Sequence, residues 1–347
     1  MSSLNDIDLI KKYDKFDMHH LIIHLPEQIL SYFDDINDDF KNTPLPHFNQ
    51  ILIFGMGGSA ISGDIAEALL GSQIPIKIVK DYRNSFICEN TLCIFISYSG
   101  NTKETIDNLL NVITKTKHIV AITSGGKIKD IVSPEHHLLI IPSGLPARAA
   151  IGYLFFTLLK VLELYKIVPC HKEQIEVLIG NLMQKAAPLC FKTDTIKNLA
   201  KSSAESIYLK IPIIYASNHI LSPVAYRWKC QINENAKLPA FNHNFPEMCH
   251  NEIEAYVSEL FDGKFIPIIL KSFSDDKMCS EKIKLFQSIL DKRNIEYLEF
   301  YADGNTDLIN IFTLIYLGDI ISFYLAILNN VDPTEIKYIN YIKNKLS

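Results

Sequence analysis

The most restrictive stretch of the sequence runs from Leu92 to Thr105. There an apolar run, Leu92 to Ile96, gives way abruptly to Ser97-Tyr98-Ser99-Gly100-Asn101-Thr102. The run has the length of a buried strand, and Ile106, Leu109, Leu110 and Ile113 after it recur at helical spacing. A switch from strand to helix across a short hydroxyl loop belongs to α/β architectures built on a parallel sheet. In such sheets ligands bind outside the carboxyl ends of the strands. The amides that open the following helix favour an anion. Ser97, Ser99 and Thr102 around Gly100 therefore read as a phosphate cradle, and a Ser/Thr-rich helix cap is the plainer reading of the same residues. A Walker loop is excluded here because no Gly-Lys-Ser/Thr is present at this junction.

The same alternation extends in both directions. Residues 1–49 read as a helical lead-in that carries Tyr32 and Phe33 and closes at Pro44 and Pro46. Gln50 to Phe54 reads as a strand, then Gly55-Met56-Gly57-Gly58-Ser59-Ala60, then a helix from Ile61 to Leu70. Gly57 and Gly58 permit a tight turn and close approach to a ligand, and Ser59 can cap the helix and donate to a phosphate. A dinucleotide fingerprint would need a third glycine where Ala60 stands. Further strand signals lie at Ile76 to Val79, Ile119 to Thr123 and Leu138 to Ile141, with helical patterns between most of them, so a doubly wound parallel sheet is expected. Arg148 follows a Pro- and Gly-rich loop at the head of a long apolar helix. It is read either as an anion-facing residue or as a surface or carbonyl-capping arginine.

After helices between 170 and 205, the second half repeats the theme. Strands are expected at Ile211 to Ala216, Phe265 to Leu270 and Ile295 to Phe300, and helices at Pro223 to Ala236 and Asp276 to Arg293. Leu308 to Leu328 is apolar and of membrane-spanning length. Asp319 in its middle would cost ~2.5–3.5 kcal/mol on insertion, and its flanks are not rich in Lys or Arg, so it reads as a buried core helix. In the tail, Asp332 reads as an N-cap, with Pro333 at the first helical position and Glu335 completing a capping box. Ile336, Ile339, Ile342 and Leu346 then share one side. Lys343 beside that stripe is, on its own, a solvated last-turn lysine.

Charge and cysteine content exclude several classes. A net charge of −5 gives no general attraction to nucleic acid or anionic membrane. The seven cysteines, odd in number and without CxxC spacing, suggest neither a disulfide framework nor a zinc site. No signal peptide pattern opens the chain, so the cytoplasm is the expected compartment.

The densest polar language is Asn233-Glu234-Asn235-Ala236-Lys237, followed by Asn242-His243-Asn244-Phe245-Pro246-Glu247-Met248-Cys249-His250-Asn251-Glu252. A glutamate and a histidine brought to one place supply a general base and a general acid. An N-cap network around a polar loop fits the same composition. Metal ligation by His243, Glu247 and His250 is a third reading, although the spacing is not that of HExxH.

Taken in order, Gly57-Gly58-Ser59, Ser97 through Thr105, Pro146-Ala147-Arg148-Ala149-Ala150, Asn233 through Lys237, Pro246 through Glu252 and the tail from Asp332 to Lys343 resemble the bifunctional phosphoglucose/phosphomannose isomerases. These are proteins of two sugar-isomerase (SIS) domains. The resemblance implies an α/β chain of two doubly wound parallel-sheet SIS domains with a C-terminal helix, at 1–168 and 169–347. It implies interconversion of glucose 6-phosphate and mannose 6-phosphate with fructose 6-phosphate, without metal or other cofactor. Gly58, Ser59, Ser97, Ser99 and Thr102 would hold the sugar phosphate. Glu234 matches the residue that moves the proton between C1 and C2, and Arg148 the arginine that stabilises the enediolate. His250 matches the ring-opening histidine, given across a homodimer interface, and Lys343 the lysine that assists it. The rival readings are a non-catalytic sugar-phosphate sensor and another sugar-phosphate enzyme on the same fold. A sensor predicts a basic DNA-binding helix, whereas residues 1–49 carry the acidic pairs Asp34-Asp35 and Asp38-Asp39.

Overall fold

The computed structural model describes residues 3–34, 47–82, 87, 88, 90–261, 263–302 and 304–346. Pro44, Pro46, Asp35, Asp38 and Asp39 lie outside the described residues, as does the Leu346 side chain. The chain forms two compact units, one of Leu25–Ile179 and one that combines Met1–His24 with Gly180–Ser347.

The first unit holds a five-stranded, wholly parallel sheet in the order β2-β1-β3-β4-β5. Its strands are β1 (Gln50–Phe54), β2 (Ile76–Val79), β3 (Thr91–Ile96), β4 (Ile119–Thr123) and β5 (His137–Ile140). The central strands β3 and β4 are buried along their whole length, whereas β2 and β5 at the edges are half-exposed. That burial explains why the central strands read as unbroken apolar runs rather than alternating ones. The order reverses between β1 and β3, so their carboxyl ends flank the crevice where an open α/β sheet binds its ligand.

The second unit repeats the design with four parallel strands, β7-β6-β8-β9. These are β6 (Ile211–Ala216), β7 (Phe241–Asn244), β8 (Phe265–Lys271) and β9 (Leu298–Tyr301). β7 was not legible as a strand, because Phe241-Asn242-His243-Asn244 is polar and lies at the sheet edge. Here the order reverses between β6 and β8. The loops that follow those strands are tied together by Asp275, whose Oδ1 accepts from Ser217 Oγ at 2.5 Å and Asn218 Nδ2 at 2.6 Å. Its Oδ2 accepts from Ser272 N at 3.2 Å.

The helix Asp307–Leu328 is the core of this unit. It spans 22 residues and is long and apolar enough to cross a membrane, yet 94% of its most apolar window is buried inside the fold. A helix apolar on every face needs cover on every face. Cover comes from the helices Leu199–Ile207, Ser222–Gln231 and Met18–Ile23. Asp319, at the middle, meets Arg227 in a two-pronged pair, Nη2 to Oδ2 at 2.6 Å and Nε to Oδ1 at 3.1 Å. At Gly318 the helix touches the Trp228 indole, where an added Cβ would fall 2.1 Å from Nε1. The N-terminal residues join this unit through buried Lys201, whose Nζ donates to Phe191 O and Thr193 O, both at 2.8 Å, and to Asn5 Oδ1 at 3.3 Å.

The tail departs from the sequence expectation. The last helix is Lys337–Leu346, and Asp332 is not its N-cap. The Asp332 carboxylate instead accepts from Thr334 N at 2.7 Å, and its carbonyl accepts from Lys237 Nζ at 2.8 Å. Those bonds hold Asp332 and Thr334 in a turn ahead of the helix.

His19 lies against Phe191 and Phe323, at ring-centroid distances of 4.9 and 5.2 Å, and its Nε2 is buried without a hydrogen-bond partner among the described residues. Burial lowers its pKa from 6.5 to about 4. The folded state thus holds a neutral imidazole that the unfolded chain protonates first. Its contribution is complete above pH 6.5 and is lost as pH falls toward 4, by ~3 kcal/mol in all. Urea unfolding at pH 7 and pH 4.5 should show that loss, and His19→Phe should flatten it.

Candidate active site

In the first unit the loops after β1 and β3 meet at the reversal of strand order. The helix after β1 is Gly57–Leu70, so it begins four residues earlier than its apolar pattern suggested, and both glycines lie in its first turn. Ser59 consequently does not cap it. Its Oγ accepts from Tyr98 N at 3.0 Å and so pins the hydroxyl loop to the first loop. A Cβ at Gly58 would lie 3.0 Å from Arg148 N, which makes this the point where the arginine turn closes on the β1 loop.

The hydroxyl loop is shaped by its own contacts. Ser97 Oγ donates to Thr102 Oγ1 at 3.0 Å, and Asn101 N donates to Ser99 Oγ at 3.2 Å. Thr102 occupies the N-cap of the helix Lys103–Val112 but makes no side-chain cap. The helix-cap reading therefore fails for Thr102. Gly100 has φ +65°, and a Cβ there would lie 1.7 Å from Gly125 O, so only glycine fits the bend.

Tyr98 and Gln28, neither singled out in the sequence, brace this rim. Tyr98 Oη donates to Pro142 O at 3.0 Å and accepts from Leu145 N at 2.9 Å, which joins the hydroxyl loop to the segment that leads into Arg148. Buried Gln28 donates from Nε2 to Ala149 O at 2.8 Å and accepts from Gly152 N at 3.2 Å. Arg148 itself is only 4% exposed, in the short turn Ala147–Ala149. The Ser-Tyr-Ser spelling was the one sequence signal for Tyr98. Gln28 had none, because its partners are distant in the chain.

In the second unit Glu234 lies in a π-helical turn, Ile232–Ala236, that continues the helix Ser222–Gln231. Such turns widen the helix and re-aim side chains, often at functional sites. Lys237 follows in the left-handed region at φ 54°, and its Nζ donates to Glu234 O at 2.7 Å and Asn235 O at 3.2 Å. Asn235 Nδ2 donates to Ser322 Oγ at 2.9 Å, and Asn329 Nδ2 to Ala236 O at 2.9 Å, which clamps the turn to the core helix. Glu234 is half-buried. His250 is exposed at the end of the 3-10 turn Glu247–His250, and Lys343 is exposed on the last helix. The three thus sit on separate elements. His243 Nδ1 pairs at 2.7 Å with Glu252 Oε2, and the structure does not gather His243, Glu247 and His250 into one ligand set. Among the described residues no group of three or more His, Cys, Asp or Glu gathers as a metal site would require.

The fold and the loop define a protein of two sugar-isomerase domains. Residues 45–150 match the SIS domain family, and residues 196–346 match the bacterial phospho-glucose isomerase C-terminal SIS domain. The chain is 34% identical over 338 residues to a bifunctional phosphoglucose/phosphomannose isomerase of Caldicellulosiruptor bescii, covering 95% of this chain and 99% of that one. It is also 32% identical to a D-glucosamine-6-phosphate 4-epimerase of Sulfolobus acidocaldarius, covering 90% and 94%. A solved glucose-6-phosphate isomerase-like protein from Thermus thermophilus has a TM-score of 0.64 at 17% identity over 99% of both chains, which establishes likeness of fold alone. The chain belongs to the family of bifunctional phosphoglucose/phosphomannose isomerases.

Gly100→Ala would need a positive φ at a cost of ~1–2 kcal/mol as well as relief of the clash with Gly125 O. The loop is expected to shift and to lose affinity for inorganic phosphate by at least about tenfold, read by calorimetric titration.

Proposed function

We propose that the protein is an aldose–ketose isomerase that interconverts glucose 6-phosphate and mannose 6-phosphate with fructose 6-phosphate. The observation that carries this reading is the π-helical turn that presents Glu234 from a buried, multiply clamped base, in a chain whose other unit holds a hydroxyl-lined anion loop. Ser97, Ser99 and Thr102, with Gly58 and Ser59, hold the phosphate and so fix the sugar far from its reacting carbons, which lowers the entropic cost of the proton transfer. Ring opening breaks the C1–O5 bond as the ring oxygen gains a proton and the C1 hydroxyl gives one up to form the aldehyde, and His250 with Lys343 takes that proton-transfer role. Glu234 then removes the proton from C2 and returns it to C1. Arg148 places positive charge beside the enediolate oxygens as they develop. Both C2 epimers can use one carboxylate if the open chain turns about C2–C3. No step draws on a metal or cofactor.

A homodimer, with His250 contributed by the neighbouring subunit, belongs to the same proposal. It is supported by the exposure of His250 and by apolar side chains open to solvent on the last helix, Tyr338 at 79%, Tyr341 at 62% and Ile342 at 58%. A cytoplasmic enzyme that acts on free sugar phosphates, with neither nucleic acid nor membrane as partner, completes the reading.

The direct test is a coupled assay on chelator-treated protein that follows fructose 6-phosphate from each aldose phosphate. Turnover of both is expected, and Glu234→Gln should lower kcat by ~10²–10⁴ with little change in substrate binding. A chain that leaves both aldose phosphates untouched but alters glucosamine 6-phosphate at C4 would instead share the activity named for the Sulfolobus relative.

The shared site has its own test. Mixing inactive Glu234→Gln with inactive His250→Ala protein should restore part of the activity. No recovery, with subunit exchange verified, would place the whole site within one chain.

A further inference from the structure

Glu252 stands two residues beyond His250, at the start of the 3-10 helix Glu252–Val257. Its carboxylate is the hub of a compact network that the reaction scheme above does not use. Oε1 accepts from Tyr215 Oη at 2.5 Å, and Oε2 accepts from His243 Nδ1 at 2.7 Å. Tyr215 and His243 are register partners on the adjacent strands β6 and β7, so one carboxylate spans two strands of the sheet. Tyr256 lies behind them, with its hydroxyl 2.7 Å from that of Tyr215.

The proton arrangement follows from chemistry. Burial, the neighbouring phenol and the charge of Glu252 push the Tyr215 pKa well above its usual value, and burial raises that of Tyr256. Both therefore remain hydroxyls, so Tyr215 donates to Glu252 and is free to accept from Tyr256. An ionised Glu252 accepts through both oxygens, which suits a carboxylate better than an amide.

The segment that carries His250 is held at both ends by this hub and by its own core contact. Met248 is fully buried in the cluster that contains Tyr215, Phe245 and Tyr256. Asn251 closes the turn, accepting from Glu252 N at 2.6 Å through Oδ1 and donating to Glu247 Oε1 at 3.1 Å through Nδ2. His250 itself projects from between these anchors into solvent. An exposed side chain gains a fixed origin only from the backbone beneath it, and here that backbone is fixed by Glu252 on one side and Met248 on the other.

We propose that Glu252 is a positioning residue for ring opening. Through its bonds to Tyr215 and His243 it sets the turn that presents His250. This rests on the assignment of His250 as the ring-opening group. It adds a requirement that the isomerase reading does not contain: removal of the Glu252 charge, or of its His243 donor, should impair ring opening while C2 chemistry is spared.

Ring opening is read separately from proton abstraction by exchange NMR between the α and β anomers of glucose 6-phosphate, with the spontaneous rate subtracted. In the full-length enzyme, Glu252→Gln is expected to slow this exchange by about tenfold, equivalent to ~1.4 kcal/mol, with KM nearly unchanged. Glu234→Gln should leave it intact. His243→Leu should slow it similarly, whereas His243→Asn, whose amide can occupy the place of the Nδ1 donor, should retain the parental rate to within about twofold. If Glu252→Gln does not fold, the His243 pair decides alone. Parental exchange in folded Glu252→Gln or in His243→Leu, with His250→Ala slow, would overturn the positioning role and leave His250 in place. Parental exchange in His250→Ala would remove the ring-opening assignment and the positioning role together. Equal loss in His243→Leu and His243→Asn would overturn the role by showing that restoring the donor restores nothing.

Discussion

The second unit depends on a charge pair in the middle of its most apolar element. Arg227 and Asp319 are each almost completely buried, and a lone charge in that position would be untenable. The two-pronged geometry satisfies both carboxylate oxygens at once. It also fixes the rotation of the core helix against the helix Ser222–Gln231, because a fork and a carboxylate meet in few orientations. Trp228, one residue along, adds a second constraint by donating to Leu314 O at 2.8 Å and filling the space left by Gly318. The π-helical turn with Glu234 continues directly from this locked pair of helices. The placement of Glu234 at an otherwise irregular turn is therefore inherited from a core contact well behind it.

The first unit reaches a comparable result by different means. Tyr98 and Ser59 tie the loops after β1, β3 and β5 to one another through hydrogen bonds, and Gln28 holds the end of the arginine turn. Glycines at points of closest backbone approach set how near those loops come. The consequence is a rim of modest individual bonds that is rigid only as a whole.

Much of this was readable from residues alone. The positions of β1, β4 and β6 follow from apolar runs, since strands buried on both faces need no alternation. The core helix and its burial were legible from Asp319, which made a lipid-facing role costly. What escaped the sequence were contacts whose partners are remote. Polar β7 became a strand because β6 supplies its ladder, and Gln28 matters only because Ala149 returns to meet it. The start of the last helix was misread because Lys237, nearly a hundred positions earlier, takes the Asp332 carbonyl. Glu234, Arg148 and the hydroxyl loop were visible as chemistry, but the supporting Glu252 hub was visible only as composition.

The two sheets reverse their strand order at equivalent places, yet the crevices have different fates. After β1 and β3 the loops present hydroxyls and leave the helix entrance without a threonine cap. After β6 and β8 the same place is occupied by Asp275, held by Ser217, Asn218 and Ser272. A carboxylate tethered this closely acts as an intramolecular competitor, with an effective concentration in the millimolar range or above. Any free phosphate would have to displace it and also overcome its charge. The chain thus carries its own resident anion in one half, and the function proposed above puts the diffusing one in the other. A duplicated architecture can in this way discriminate between its own two crevices without changing the fold of either.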